Sequence, residues 1–360
     1  MNLIDRYIIK TFISTLLFAM IALCVIFIIV NLLERLDDFL DQNAGFMVIA
    51  KYYIYYLPAI LQILTPVATL LSTLFTIGRM STINEITAMK SGGMSLYRIM
   101  LPVIFIAILL SFGQLYFNGW VVPVANKNKN EIEKKYLNVS STGAPIYNLY
   151  FRDKPTTNVM MQYYDANSKT GSRVSIEEFS EEMKPRLVKR AEAGQIFWDT
   201  AKSVWIMKDA IIREYFANKV GIQRVGEYEV KLMISHDQIS KLQQSPDEMT
   251  FTESRDYIEI LKTGGKDVRM QLIDYHGKWA FPFANLIVIL FGVPFASVRR
   301  KGGIAIQIGA AMVVSFTYMI FTKVSQTISF AYGFDPVFSG WVANIIFFIV
   351  GIITILRTKT

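Results

Sequence analysis

Cysteine and histidine are almost missing from this chain of 360 residues, which has one Cys (Cys24) and two His (His236 and His276). An intrachain disulfide is therefore excluded, and so is a zinc site built from Cys and His alone. Charge is scarce as well. Asp, Glu, Lys and Arg make up 18% of the residues, against roughly 25% in an average soluble domain. Also lacking is any G-x-x-x-x-G-K-[ST] phosphate loop, so the chain does not bind ATP in that way. "TGGK" at Thr263–Lys266 has the letters without the spacing and reads as a helix C-cap.

What is present is apolar. Hydrophobic residues make up 52% of the chain and the mean hydropathy is +0.35. A bilayer core takes about 20 apolar residues of helix. Six stretches without Asp, Glu, Lys or Arg meet or approach that length: Thr11–Leu33, Tyr52–Gly78, Ile99–Ala125, Trp279–Val298, Gly302–Thr322 and Pro336–Leu356. The first is too long for a signal-peptide core and lacks a small-x-small cleavage site. Leu23 stands where a lipoprotein site wants a small residue, so Cys24 reads as buried filler.

The short loops set an orientation. Arg6 and Lys10 precede span 1; Arg79, Lys90 and Arg98 lie between spans 2 and 3; Arg299, Arg300 and Lys301 lie between spans 4 and 5; Arg357 and Lys359 follow span 6. The opposite loop, Glu34–Lys51, is mainly acidic. The positive-inside rule then places both termini in the cytoplasm.

Residues 126–278 carry both charge signs in near balance and read as a soluble domain outside the cytoplasm. "NVMMQYYDA", "GQIFWDTAKSVWIMKDAIIREYF" and "GEYEVKLMIS" are rich in β-branched and aromatic residues with turn formers between them. "WDTAKSVW" (Trp198–Trp205) reads as a hairpin. An antiparallel sandwich or open barrel suits this pattern. After Ser245-Pro-Asp247, Tyr257, Ile258 and Leu261 take helical spacing, stopped by Gly264-Gly265. The expected architecture is three transmembrane helices (1–125), an extracytoplasmic all-β domain with a connecting helix (126–278), and three further helices (279–360).

Reactive groups are few. His276 sits beside Asp274 in "DYHGKW", but no nucleophile is marked near it, and with Trp279 and Lys278 it reads as an interfacial anchor. No catalytic residue, metal site, cofactor or nucleic-acid partner is called for. Lys323 stands at the end of span 5. It reads equally as a snorkelling lysine or as a cation facing a cavity, ready for an anionic headgroup. Glu34 and Arg35 pose the same choice, with an exposed pair of adjacent charges as the simpler reading.

Between spans 2 and 3 lies "STINEITAMKSGG" (Ser81–Gly93). Thr82-x-x-Glu85 has the form of a capping box, and Gly92-Gly93 that of a stop. Ile83, Ile86 and Met89 make one apolar face. The segment about 81–91 is then a short amphipathic helix. It either lies on lipid, with Glu85 used in its own cap, or inserts Ile86 and Met89 into a groove on a soluble partner, oriented by Glu85 or Lys90.

"LIDRYIIKTF" (Leu3–Phe12), "NEITAMKSGGMSLYRIM" (Asn84–Met100), "DYIEILKTGGKDVRMQLIDYHGKWAFPFANLIVILFGVPFASVRRKGG" (Asp256–Gly303) and "YGFDPVFSGWVANIIFFIVGIITILR" (Tyr332–Arg357) resemble the lipopolysaccharide-export permeases of the LptF/LptG (YjgP/YjgQ) family. The resemblance covers the whole chain. It implies a β-jellyroll-like insert and a non-catalytic permease subunit of an ABC-type exporter of the inner membrane. The partners it implies are a cytoplasmic ABC ATPase dimer, a paralogous permease in a heterodimer, periplasmic bridge proteins, membrane lipid and lipopolysaccharide as cargo. Its coupling helix maps onto Ser81–Ser91, making Glu85, Ile86, Met89, Lys90 and Gly92 the candidate ATPase-coupling residues. Spans 1 and 5 would form a lateral gate, with Lys323 near the lipid path. Family members often carry a cation near the outer end of span 1. Here Asn31 takes that place and Arg35 follows one turn later, so Asn31, Arg35 and Lys323 are the lipid-path candidates. Two other readings stand beside this one: an exporter of another lipid or lipoprotein, and a membrane-anchored sensor or scaffold. The short cytoplasmic loops count against the latter.

Overall fold

The computed structural model describes residues 3–137, 146–166, 168–182, 184–216, 219–241, 244–263, 265–297 and 303–357. The basic loop residues Arg299, Arg300, Lys301 and Lys359 lie outside them. The chain forms two compact units, residues 1–137 with 269–360, and residues 138–268.

The first unit is helical. Its leading half comprises α1 (Leu3–Asp41), α2 (Phe46–Thr82), α3 (Glu85–Ser91), α4 (Leu96–Tyr116) and α5 (Val122–Tyr136). A π turn at Phe117–Val121 joins α4 to α5. Pro123, which has no N–H to return to the preceding turn, stands two residues after that widened turn. The third apolar helix thus runs on past Ala125 to Tyr136, because nothing in its Lys- and Glu-rich continuation breaks a helix. At rest on about 1.5 Å per residue, the 39 residues of α1 reach well beyond a bilayer core of about 30 Å.

The second unit contains β1 (Ile146–Lys154), β2 (Thr157–Asp165), β3 (Thr170–Phe179), β4 (Leu187–Asp199), β5 (Val204–Tyr215) and β6 (Val220–Val230). Helices α6 (His236–Lys241) and α7 (Phe251–Thr263) follow. The first unit then resumes with α8 (Arg269–Ala280), a 3-10 turn at Phe281–Phe283, α9 (Ala284–Ser297), α10 (Gly303–Tyr332) and α11 (Pro336–Arg357). Among the described residues five helices are long and apolar enough to cross a membrane: Leu3–Asp41, Phe46–Thr82, Leu96–Tyr136, Arg269–Ser297 and Pro336–Arg357. The remaining expected span falls within α10, a helix of 30 residues.

The expected all-β insert is present as one antiparallel sheet, and its strands run in sequence order from β1 to β6. Among the described residues the jellyroll-like expectation narrows to this meander, with every pairing between sequence neighbours. The Trp198–Trp205 hairpin forms as expected, with those two residues facing each other. A single transverse line interrupts the pairing in all six strands, at Asn148, Gln162, Arg173, Gly194, Asp209 and Gly226. Three of these, Asn148, Arg173 and Asp209, take left-handed backbone angles (φ 53°, 49° and 51°). Each strand spends one extra residue there, so its core-facing positions jump by three: Met161 to Tyr164, Ala193 to Ile196, Met207 to Ala210. The register is the same on both sides of the line, so the strands share one unpaired rung and do not bulge against one another. Trp205, fully buried, closes the core and donates its indole N–H to the carbonyl of Ile234 at 2.9 Å. The helix expected after Ser245 is α7, and Gly265 ends it with φ 75° and a pair of bonds, Gly265 N–H to Lys262 and Lys266 N–H to Leu261.

Candidate functional site

The loop between spans 2 and 3 is a helix, although its start differs from expectation. α2 runs through Thr82, whose hydroxyl donates to its own helix at the Gly78 carbonyl (2.8 Å). The N-cap of α3 is Asn84, held at φ 61° in the left-handed region that asparagine tolerates. No capping box forms, and Glu85 is free of that duty. Its carboxylate accepts instead from the Tyr7 hydroxyl of α1, 3.3 Å from each oxygen. The stop is as expected. Gly93 takes φ 84°, its N–H bonds the Lys90 carbonyl, and the Met94 N–H bonds that of Met89, which together make a Schellman motif. Ser95 then caps α4 by accepting from the Arg98 N–H at 3.4 Å.

The apolar face of α3 is divided: Ile83 is exposed, Met89 half-buried and Ile86 buried. Ile86 belongs to the buried cluster that also holds Ile77, Met80, Leu96 and Ile99, and Met89 packs against that cluster. The residues that α3 leaves exposed are Thr87, Ala88 and Ser91, with Ile83 and Asn84 before it and Gly92 after it. Glu85 and Lys90 are half-buried. The start of α1 braces this corner. Arg98 clasps Asp5 with both guanidinium arms, at 2.7 and 2.9 Å. Such forked pairs fix geometry better than a single contact.

A second polar cluster gathers where the C-terminal end of α1 meets α2 and α5. Arg35 is not half of an exposed pair with Glu34: its Nη1 lies 3.3 Å from Glu133 Oε1 on α5. The same oxygen accepts from the Tyr52 hydroxyl at 2.9 Å and faces Lys129 Nζ at 3.3 Å. Lys129 also lies over the Tyr56 ring, 5.1 Å from its centre. Asn31, one turn before Arg35, accepts from the Tyr53 hydroxyl at 3.3 Å. Two lipid-path candidates, Asn31 and Arg35, thus share one aromatic-lined corner. Lys323 is exposed on α10, and its ammonium has no hydrogen-bond or ion-pair partner among the described residues. Sequence reasoning missed Glu133, Lys129 and Tyr52. The Lys129/Glu133 pair at i,i+4 was the available signal, but nothing local connected it to Arg35.

Beside that corner lies an open apolar groove of about 870 Å³, lined by α1, α2 and α4 through residues such as Leu17, Cys24, Leu61, Leu109 and Gln114. Cys24 is buried there, as expected of filler. His276 sits on α8, packed tightly against Gly340 of α11. That is the setting of a helix-crossing residue. No group of three or more His, Cys, Asp or Glu side chains among the described residues could hold a metal ion.

Long apolar helices and a β domain inserted midway fit a polytopic membrane protein of the permease class with an inserted β domain. The match to known proteins is specific. Residues 6–357 match the family of the lipopolysaccharide export system permease LptF/LptG, and the chain belongs to it. It is 20% identical to the lipopolysaccharide export system permease protein LptG of Escherichia coli (strain K12) over 360 residues, covering 99% of this chain and 98% of that one. The protein of the same name from Haemophilus influenzae is also 20% identical, over 362 residues, covering 97% of this chain and 96% of its own.

Proposed function

We propose that this chain is an inner-membrane permease subunit that draws lipopolysaccharide from the bilayer and passes it to its β domain and onward along a periplasmic protein bridge. ATP hydrolysis takes place on a separate cytoplasmic ATPase dimer, and a paralogous permease completes the transmembrane pathway. The match to the LptF/LptG family over residues 6–357 carries this reading. Both relatives described are LptG proteins, which favours the LptG position in the pair.

The ATPase meets α3. Ile86 and Met89 hold the helix to the permease, while Glu85, Thr87, Ala88 and Ser91 face the partner and Gly92 ends the contact. A coupling helix must transmit force, and burial of Ile86 with the Tyr7–Glu85 bond ties α3 to the start of α1. Lys90, half-buried, borders the contact. Both termini lie in the cytoplasm and the β domain lies in the periplasm. The lipid enters between α1 and the α10 of the paralogue, passing Asn31, Arg35 and Lys323, and the apolar groove beside α1 offers room for acyl chains.

Co-purification tests this reading. Mild-detergent isolation of the tagged chain should recover an ATPase, a second permease and a phosphorylated glycolipid. Recovery of the chain alone, or with a signalling partner and no lipid, would favour a sensor or scaffold.

A further inference from the structure

Arg35, Lys129, Tyr52 and Glu133 form a site whose charges do not balance. Two cations converge on a single carboxylate oxygen, which the Tyr52 hydroxyl also holds. Glu133 is almost wholly buried, whereas a third of the Arg35 side chain remains open. Arg35 follows Leu33, the last apolar residue of span 1, by two positions, and Lys129 follows Ala125 by four. Four residues of helix rise about 6 Å, close to the thickness of one headgroup layer. The cluster therefore stands at headgroup depth, with one face reachable.

We infer that Glu133 is a positioning residue that stands in for a lipid phosphate. In the resting site its carboxylate keeps Arg35 and Lys129 converged on one point. A phosphate monoester of the incoming glycolipid takes that place, because it offers more charge and more acceptor oxygens to the same two cations. Glu133 then sets the threshold for entry. Phosphorylated lipids displace it from Arg35, and uncharged headgroups cannot. When the lipid leaves, Glu133 recaptures Arg35 and ties α1 back to α5. This inference rests on the lipid-export reading above.

The test is binding of fluorescent lipopolysaccharide and of its enzymatically dephosphorylated form to the assembled complex in nanodiscs. Wild type should prefer the phosphorylated form. Glu133→Gln keeps the shape and loses the competing charge, so the preference should rise at least about threefold, while affinity for the dephosphorylated form stays level. Lys129→Met leaves the site neutral and should lower the preference by a similar factor. It also decides the matter should Glu133→Gln fail to assemble. An unchanged preference in both variants overturns the inference, and so does an equal loss of both lipids, which marks a purely structural ion pair. Inorganic phosphate at millimolar concentration should not compete. If it does, the site takes free anions and the headgroup assignment falls. Wild type binding neither lipid would instead overturn the export reading itself.

Discussion

The side-chain amide of Gln114 on α4 donates, at 2.9 Å, to the Gln62 carbonyl of α2, the one that Pro66 leaves without a helical donor. Gln114 is in turn held by Asn285 of α9, whose Nδ2 donates to Gln114 Oε1 at 2.6 Å. In lipid no water can repair an open carbonyl, so another helix has to. Gln114→Leu should therefore destabilise the protein by about 1–3 kcal/mol. Pro66→Ala restores the missing N–H, so the loss in the double variant should be visibly smaller than the sum of the two single losses. Thermal unfolding in detergent for all four members of the cycle measures this. Strict additivity would mean that the Gln114–Gln62 bond does not repair the proline break.

Gly340 of α11 marks a close crossing with α8. A β-carbon there would lie 2.6 Å from His276 Cβ and 2.9 Å from the Gly277 nitrogen. Backbone cannot yield as a flexible side-chain tip can. Gly340→Ala should cost about 1–3 kcal/mol through overpacking, whereas Gly113→Ala, with nothing within 4 Å, should be neutral or slightly stabilising. Melting temperatures of the two variants, compared side by side, separate a crossing constraint from a general intolerance of alanine.

Much of this architecture was legible because bilayer physics leaves few options. Charge-free runs such as Thr11–Leu33 and Pro336–Leu356 have no use but burial in lipid or protein. Gly93 and Gly265 marked helix ends for a local reason, their left-handed backbone angles. Less visible was anything joining distant segments. The Thr82/Glu85 spacing fitted a capping box, yet α2 continued through Thr82, and Tyr7, far away in sequence, took Glu85. Arg35 met Glu133 for the same reason, since no local pattern reports a contact between α1 and α5. In the sheet, the three-residue jumps from Met161 to Tyr164 and from Ala193 to Ile196 break strict alternation. They make sense only once the neighbouring strands show the same unpaired rung.

His236 gives the β domain a pH dependence of defined sign. It is buried, and its Nδ1 lies 2.5 Å from the Tyr164 hydroxyl. Burial holds its pKa below the ordinary value, only partly offset by Asp237. The same burial raises that of Tyr164, which stays a hydroxyl that can donate. The unfolded chain takes up the proton near pH 6.5 while the folded domain resists it. Stability is thus full above about pH 6.5 and falls as pH drops below it, levelling off at the lower folded value. Hydrogen exchange in the full-length protein should show β2 and α6 losing protection between pH 7.5 and 5.5, after correction for intrinsic rates. His236→Phe should flatten that difference. An equal pH response in the variant would assign the effect to other groups.

The two faces of α3 should separate folding from coupling. Ile86 sits in the permease core, so Ile86→Ala should cost about 2–5 kcal/mol of stability. Loss of activity in that variant would say nothing about a partner. Thr87 and Ala88 are exposed and carry no load in the fold. Thr87→Trp should leave the melting temperature within about 1 °C, since surface changes of this kind rarely exceed about 0.5 kcal/mol. The added bulk would still block a close-fitting partner, and ATPase co-purification should fall about tenfold or more, equivalent to about 1.4 kcal/mol of binding. Glu85→Ala lies between the two, because it frees Tyr7 and removes a charge from the rim. Its effect on coupling should exceed its effect on stability. If Thr87→Trp retains the ATPase at wild-type yield and lipid still moves, the contact lies elsewhere on the cytoplasmic side, and α3 serves only to brace α1 against α4.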